Sequence, residues 1–206
     1  MAKDMTIVYK VKDGLYVNMT NRCPCACSFC IRTHGDGAYG SNPLWLEREP
    51  TKEEVLEAIV NARVENFKEL VFCGYGEPTE RIDELIEISQ EIKKLYPNLK
   101  IRVNTNGLAD LIAGQSVASR FEGCVDELSI SLNASNAEDY FELCKPRFGL
   151  CSYEAMLKFV KDAMKYVPSV VLTVVKTESM SDEKIVECKD VCDKLGLMLR
   201  VRTYLA

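Results

Sequence analysis

An α/β fold, a partial (β/α)6 TIM-like barrel with an N-terminal β-hairpin, is what this sequence of 206 residues predicts. Short β-rich runs alternate with amphipathic helical stretches along the chain, the pattern of a parallel sheet crossed by helices. Polar and glycine-rich turns stand just after the strands, on the rim where such barrels gather reactive groups. Residues 1–206 therefore read as a single domain, with 1–14 as its hairpin extension.

The elements follow in order. Thr6 to Val11, ahead of Asp13-Gly14, pairs as a hairpin with a first strand over Tyr16 to Thr20. Residues 31–50 form a long active-site loop, and its glycine-rich stretch from Gly35 to Gly40 is expected to be a mobile cover. Thr51 and Glu54 make a capping box before Val55, Ile59 and Ala62. Leu70 to Cys73, Ile101 to Asn104, Glu127 to Leu132, Val170 to Lys176 and Leu197 to Arg202 are the further strands. Pro97 stops one helix; Ser181, with Asp182 and Glu183, opens another that Gly196 ends.

Composition narrows the function. A net charge of -5 argues against a protein that coats nucleic acid. Met1 to Lys10 lacks the apolar core of a signal peptide, and no stretch approaches a membrane span. Ten cysteines without an export signal point to a reducing cytoplasm and to metal chemistry.

The metal motif is compact. Cys23, Cys27 and Cys30 read C-x3-C-x2-C, with Cys25 between them. Three thiolates from one loop can hold three irons of a 4Fe-4S cluster and leave the fourth open for a ligand. A structural zinc knuckle is the rival, but zinc sites bring together two C-x2-C pairs and the second pair is missing. After the second strand comes Gly74-Tyr75-Gly76-Glu77-Pro78, after the third Asn104-Thr105-Asn106-Gly107, and on the fourth Ser129, Ser131 and Asn133. Taken singly, these are plain turns or alternating strand residues.

Together the residues resemble the radical S-adenosylmethionine (radical SAM) superfamily over nearly the whole chain. The carrying combination is the cysteine loop, with Phe29 before its last cysteine, followed one unit later by G-x-G-E-P. The resemblance implies a 4Fe-4S cluster on Cys23, Cys27 and Cys30, with the amine and carboxylate of S-adenosylmethionine on the open iron. It implies that Gly74, Gly76 and Glu77 receive the methionyl amine, the glycines because a missing Cβ permits close backbone approach. Asn104, Asn106, Ser131 and Asn133 resemble positions that contact ribose and carboxylate, and Phe29 flanks the adenine. Reductive cleavage would then give a 5'-deoxyadenosyl radical that abstracts hydrogen from a substrate, small or macromolecular, with a reductant such as flavodoxin or ferredoxin.

Within the superfamily, the short core, the hairpin and the run from Asn21-Arg22-Cys23 to Cys30 resemble the TatD-associated radical SAM proteins, a group linked to a metal-dependent nuclease. A glycyl-radical activating enzyme or a 7-carboxy-7-deazaguanine synthase is the alternative. From a different class, a noncatalytic iron-sulfur sensor or maturation factor is opposed by the nucleotide-like cradle. Candidate catalytic groups are Cys144 and Cys151, around the basic pair Lys145 and Arg147, and His34, the only histidine. His34, Tyr39 and Trp45 are candidate substrate contacts. Cys188, Cys192 and Cys124 read as packing, and Cys73 as pocket wall.

Overall fold

Seven strands form one open, curled sheet, and they lie in the order of the chain. The computed structural model describes residues 5–33, 35–177 and 180–203. Strands β1 (Val8–Val11) and β2 (Gly14–Val17) are an antiparallel hairpin, with Val11 opposite Gly14. Parallel partners follow: β3 (Glu69–Phe72), β4 (Lys100–Thr105), β5 (Glu127–Ser131), β6 (Ser169–Lys176) and β7 (Leu199–Thr203). The helices are α1 (Lys52–Asn61), α2 (Ile82–Leu95), α3 (Ala109–Ala113), α4 (Ala137–Cys144), α5 (Cys151–Ala163) and α6 (Asp182–Leu195).

Local chemistry sets the helix ends. Thr51 and Glu54 close a reciprocal capping box on α1, and Ser181 caps α6, which stops at Gly196 in the left-handed region. The crossovers are less regular than six equal units. Between β4 and β5 the chain has only the short α3 and a 3-10 turn over Ala118–Phe121, whereas α4 and α5 both lie between β5 and β6. The first core strand also starts earlier than expected, because Gly14 already pairs with both Val11 and Glu69.

Alternation along the strands divides the molecule. Leu70, Phe72, Ile101, Val103, Leu128, Ile130, Leu172 and Val174 are fully buried in the main core, with Val55, Ile59, Leu85, Ile88, Met156 and Phe159 from the helices. The alternate positions Glu69, Arg102, Asn104, Glu127, Ser129, Ser131 and Thr173 are polar. A parallel sheet normally carries apolar residues on both faces. Here the inner face is a polar lumen, floored by Arg102 on Glu69 at 2.6 Å and Lys100 on Glu127 at 2.7 Å.

Candidate active site

The cysteine loop leaves β2 and is held at both ends by side chains from elsewhere. Buried Arg81 donates from Nη1 to the carbonyls of Met19 and Pro50, each at 2.8 Å, and so closes the base of the segment between them. Asn18, fully buried, donates to Leu44 O at 2.7 Å and accepts from the Tyr75 amide at 3.3 Å. On its outer side the loop pairs with the end of α4: Ala26 N donates to Cys144 O, Ser28 N to Leu143 O, and Arg147 N to Pro24 O. Arg32 reaches back to Cys25 O at 3.2 Å. Burying so many backbone groups requires partners of this kind.

These constraints divide the four loop cysteines. Cys23, Cys27 and Cys30 line a cavity of about 220 Å³ at the C-terminal ends of the strands, whereas Cys25 is buried and does not line it: its backbone bridges to Pro146, and its Sγ lies 3.8 Å from Asn106 Nδ2. The loop thiols are linked to one another, Cys25 hydrogen-bonding both Cys23 and Cys27. The thiols are electrostatically unequal. A hydrogen bond from Cys144, with a second from Cys25, pulls Cys27 down to about 4. Cys25 likewise lowers Cys23, while burial raises Cys30.

The turn after β3 meets the loop at close range. A Cβ on Gly74 would stand 2.1 Å from Asn18 Oδ1, and one on Gly76 would stand 2.3 Å from Thr20 O and 2.6 Å from Arg22 O. The glycines therefore serve contact between the turn and the root of the cysteine loop, which corrects the expectation that the missing Cβ atoms make room for a ligand. Their backbone still lines the cavity. Glu77 is a strut: Oε1 accepts from Thr79 N and Oγ1, and Oε2 accepts from Asn106 N at 2.7 Å, joining the turns after β3 and β4. Burial raises its pKa, although the Asn106 and Thr79 bonds pull the other way.

The turn after β4 is built by its own side chains. Thr105 Oγ1 accepts from Gly107 N at 3.0 Å and Asn106 Oδ1 from Leu108 N at 2.9 Å. Gly107 takes φ +77° with Met156 and Ile130 beneath it, so no other residue fits without strain.

Most of the predicted contacts come together. Phe29, Gly74, Gly76, Glu77, Asn104, Asn106 and Ser131 line the same cavity as the three cysteines, with Cys73 and Tyr39. Asn133 stands apart: it is buried at φ +58°, and its Nδ2 donates to Cys144 Sγ at 3.5 Å. Cys144 lies behind the loop, Cys151 is exposed at the start of α5, and neither lines the cavity. Lys145 and Arg147 belong to the segment that braces the loop, and Arg147 also approaches Glu80 at 3.6 Å. His34 lies outside the described residues. Trp45 stacks edge-on against Tyr75 at 5.1 Å without lining the cavity. The expected mobile cover is anchored at its middle, where Leu44 packs with Tyr9, Val11, Ala38 and Tyr75, and the Tyr75 hydroxyl holds Gly35 O at 2.7 Å.

Sequence reasoning missed the positioning residues Asn18, Arg32 and Arg81, and Arg202 on the cavity wall. Arg81 carried one signal, since it lies three residues after Pro78.

A half-barrel with three thiols and a polar cavity on the C-terminal rim of its strands defines an α/β-barrel protein built around a metal centre. The sequence profile of the Radical SAM superfamily matches residues 17–188, and the chain belongs to that superfamily. It is 26% identical over 188 residues to a probable GTP 3',8-cyclase from Thermococcus kodakarensis, covering 91% of this chain and 55% of that protein. A GTP 3',8-cyclase from Limosilactobacillus fermentum is 26% identical over 136 residues, covering 66% and 38%. The chain thus spans about half the length, or less, of the curated relatives it matches. In fold it resembles a radical SAM methyltransferase from Sphaerobacter thermophilus, with TM-score 0.64, 20% identity and coverage of 95% and 57%. It also resembles anSMEcpe with bound AdoMet, with TM-score 0.63, 15% identity and coverage of 92% and 50%.

Radical SAM enzymes use a 4Fe-4S cluster and S-adenosylmethionine. The donor set fits both: three thiols on one cavity wall stand beside a glycine-rich turn and amide-bearing strand ends. No helix among the described residues is long and apolar enough to cross a membrane.

Proposed function

We propose that this protein is a radical SAM enzyme with Cys23, Cys27 and Cys30 as the ligands of its cluster. Cys23, Cys27 and Cys30 would hold the cluster, which when bound and reduced would supply the electron that splits S-adenosylmethionine into methionine and a 5'-deoxyadenosyl radical able to take hydrogen from a substrate. The observation that carries the reading is the division of the loop cysteines, three lining the cavity and Cys25 buried without lining it. The chain's own residues supply the rest. Glu77 and Asn106 lock two strand ends together; Asn104 and Ser131 present an amide and a hydroxyl to the cavity, while Asn106 Nδ2 reaches Cys23 Sγ at 4.0 Å and Cys25 Sγ at 3.8 Å. Phe29, Ile31 and Tyr75 give it an apolar side.

The TatD-associated group is the finer reading. Its support is the β1–β2 hairpin joined to the cysteine run and a glycine- and tryptophan-bearing loop. A cytoplasmic setting, a flavodoxin or ferredoxin donor and a functional link to a TatD-like nuclease go with it.

Anaerobic reconstitution with iron and sulfide, followed by dithionite and S-adenosylmethionine, tests the activity. The expected product is 5'-deoxyadenosine. A complete cluster that cleaves nothing under several reductants would return the chain to the sensor class.

A further inference from the structure

We propose that Arg202 binds an anionic group, a carboxylate or a phosphate, on the substrate of this enzyme; the inference rests on the radical reading above. The basis is an imbalance of charge inside the half-barrel. Strand register places Arg200 beside Thr173 and Arg202 beside Val175, two residues apart on one face. Arg200 is committed to Glu127 at 3.2 Å, which also takes Lys100, and Arg102 is committed to Glu69. The next arginine toward the rim has no such partner: among the described residues Arg202 makes no hydrogen bond or ion pair, although it lines the cavity and is half-buried.

Nothing in the cavity wall answers that charge. Glu77 is the one acidic residue there among the described residues, and both its oxygens are occupied. A partly desolvated guanidinium gains most from a charged acceptor, and its planar fork matches carboxylate and phosphate oxygens two at a time. The Ser131 and Thr203 hydroxyls on the same cavity can complete such a cradle. The protein as a whole carries -5, so its overall field does not attract anions and local recognition must do so.

The anion is assigned to the substrate because the residues that resemble cofactor contacts, Gly74, Gly76, Glu77, Asn104, Asn106 and Ser131, stand at the ends of β3, β4 and β5, whereas Arg202 stands on β7. The cysteine loop follows β2, and Arg202 is on β7, five strands further along the sheet. At about 4.8 Å per strand, that is an arc of roughly 24 Å. Along the sheet the arginine is thus five strands from the strand that leads into the cysteine loop, beside Val175 on β6.

Calorimetry on the reconstituted protein, under saturating S-adenosylmethionine, tests this with phosphate, pyrophosphate and malonate as probes. At least one probe should bind saturably to the wild type. Arg202→Gln should weaken it by about tenfold or more, Arg202→Lys by less, and Arg200→Gln by under about twofold. Affinity for S-adenosylmethionine should be unchanged in all three variants. The proposal is overturned if no probe saturates, if Arg202→Gln binds anions as the wild type does, or if that variant loses S-adenosylmethionine instead, since the arginine would then hold the cofactor's carboxylate. Arginine-dependent anion binding without 5'-deoxyadenosine from the wild type would sustain the anion site and sink the radical reading.

Discussion

At the floor of the half-barrel Lys100, Arg102 and Arg200 close on Glu69 and Glu127, while at the rim the side chains are thiols, amides and hydroxyls around one buried glutamate. The floor spends its charges on itself. At the rim, Glu77 is satisfied by backbone and hydroxyl donors, and Arg202 has no hydrogen-bond or ion-pair partner among the described residues. The same inward-facing strand positions thus serve stability at one end and ligand chemistry at the other, and five substitutions separate the two.

The largest effect is expected at the rim. Cys27→Ala should reduce cluster iron and 5'-deoxyadenosine to background while near-ultraviolet circular dichroism remains that of a folded domain, as measured by iron and sulfide analysis and chromatography. Gly76→Ala comes next, because its Cβ would collide with two backbone carbonyls; a loss of about 3 kcal/mol in urea unfolding is expected, with reduced iron loading. An undiminished urea midpoint would refute the close packing of the turn on the loop.

Glu127→Ala acts at the floor alone. It should cost about 1–2 kcal/mol, since Lys100 and Arg200 can turn toward water, and should leave 5'-deoxyadenosine yield intact. The pH dependence has a definite sign. Burial pushes Glu127 up, but Lys100 and Arg200 outweigh it and hold it below its ordinary 4.5. Its stabilisation is present above that value and is lost as pH falls through the lowered one. Glu127→Gln should therefore flatten the acid limb of urea midpoints measured between pH 7 and pH values on the order of 3. The smallest effect is expected of Cys25→Ala: about 1 kcal/mol for a small buried side chain, with iron content unchanged. Loss of iron in that variant would mean a different ligand set.

Much of this was legible in the chain because the signals were local. The capping box at Thr51 and Glu54, the serine cap at Ser181 and the Asp13-Gly14 turn act over a few residues, and each formed as read. The cysteine spacing was local too. What escaped depended on distant partners. Gly74 and Gly76 looked like ligand space because Asn18 and Thr20 lie far away in sequence. Asn133 reads as a strand-end donor until Cys144 comes beneath it. Arg202 stood inside a predicted strand, and only the strand register shows its neighbour two residues back to be paired while it is not.

The bonds from Ala26, Ser28 and Arg147 that brace the cysteine loop join segments about 120 residues apart, among the slowest kinds of contact for a chain to close. All three cysteines leave the ribosome early, yet the wall that holds them is made by residues 143–147. The arrangement of the loop thiols is thereby tied to completion of most of the barrel.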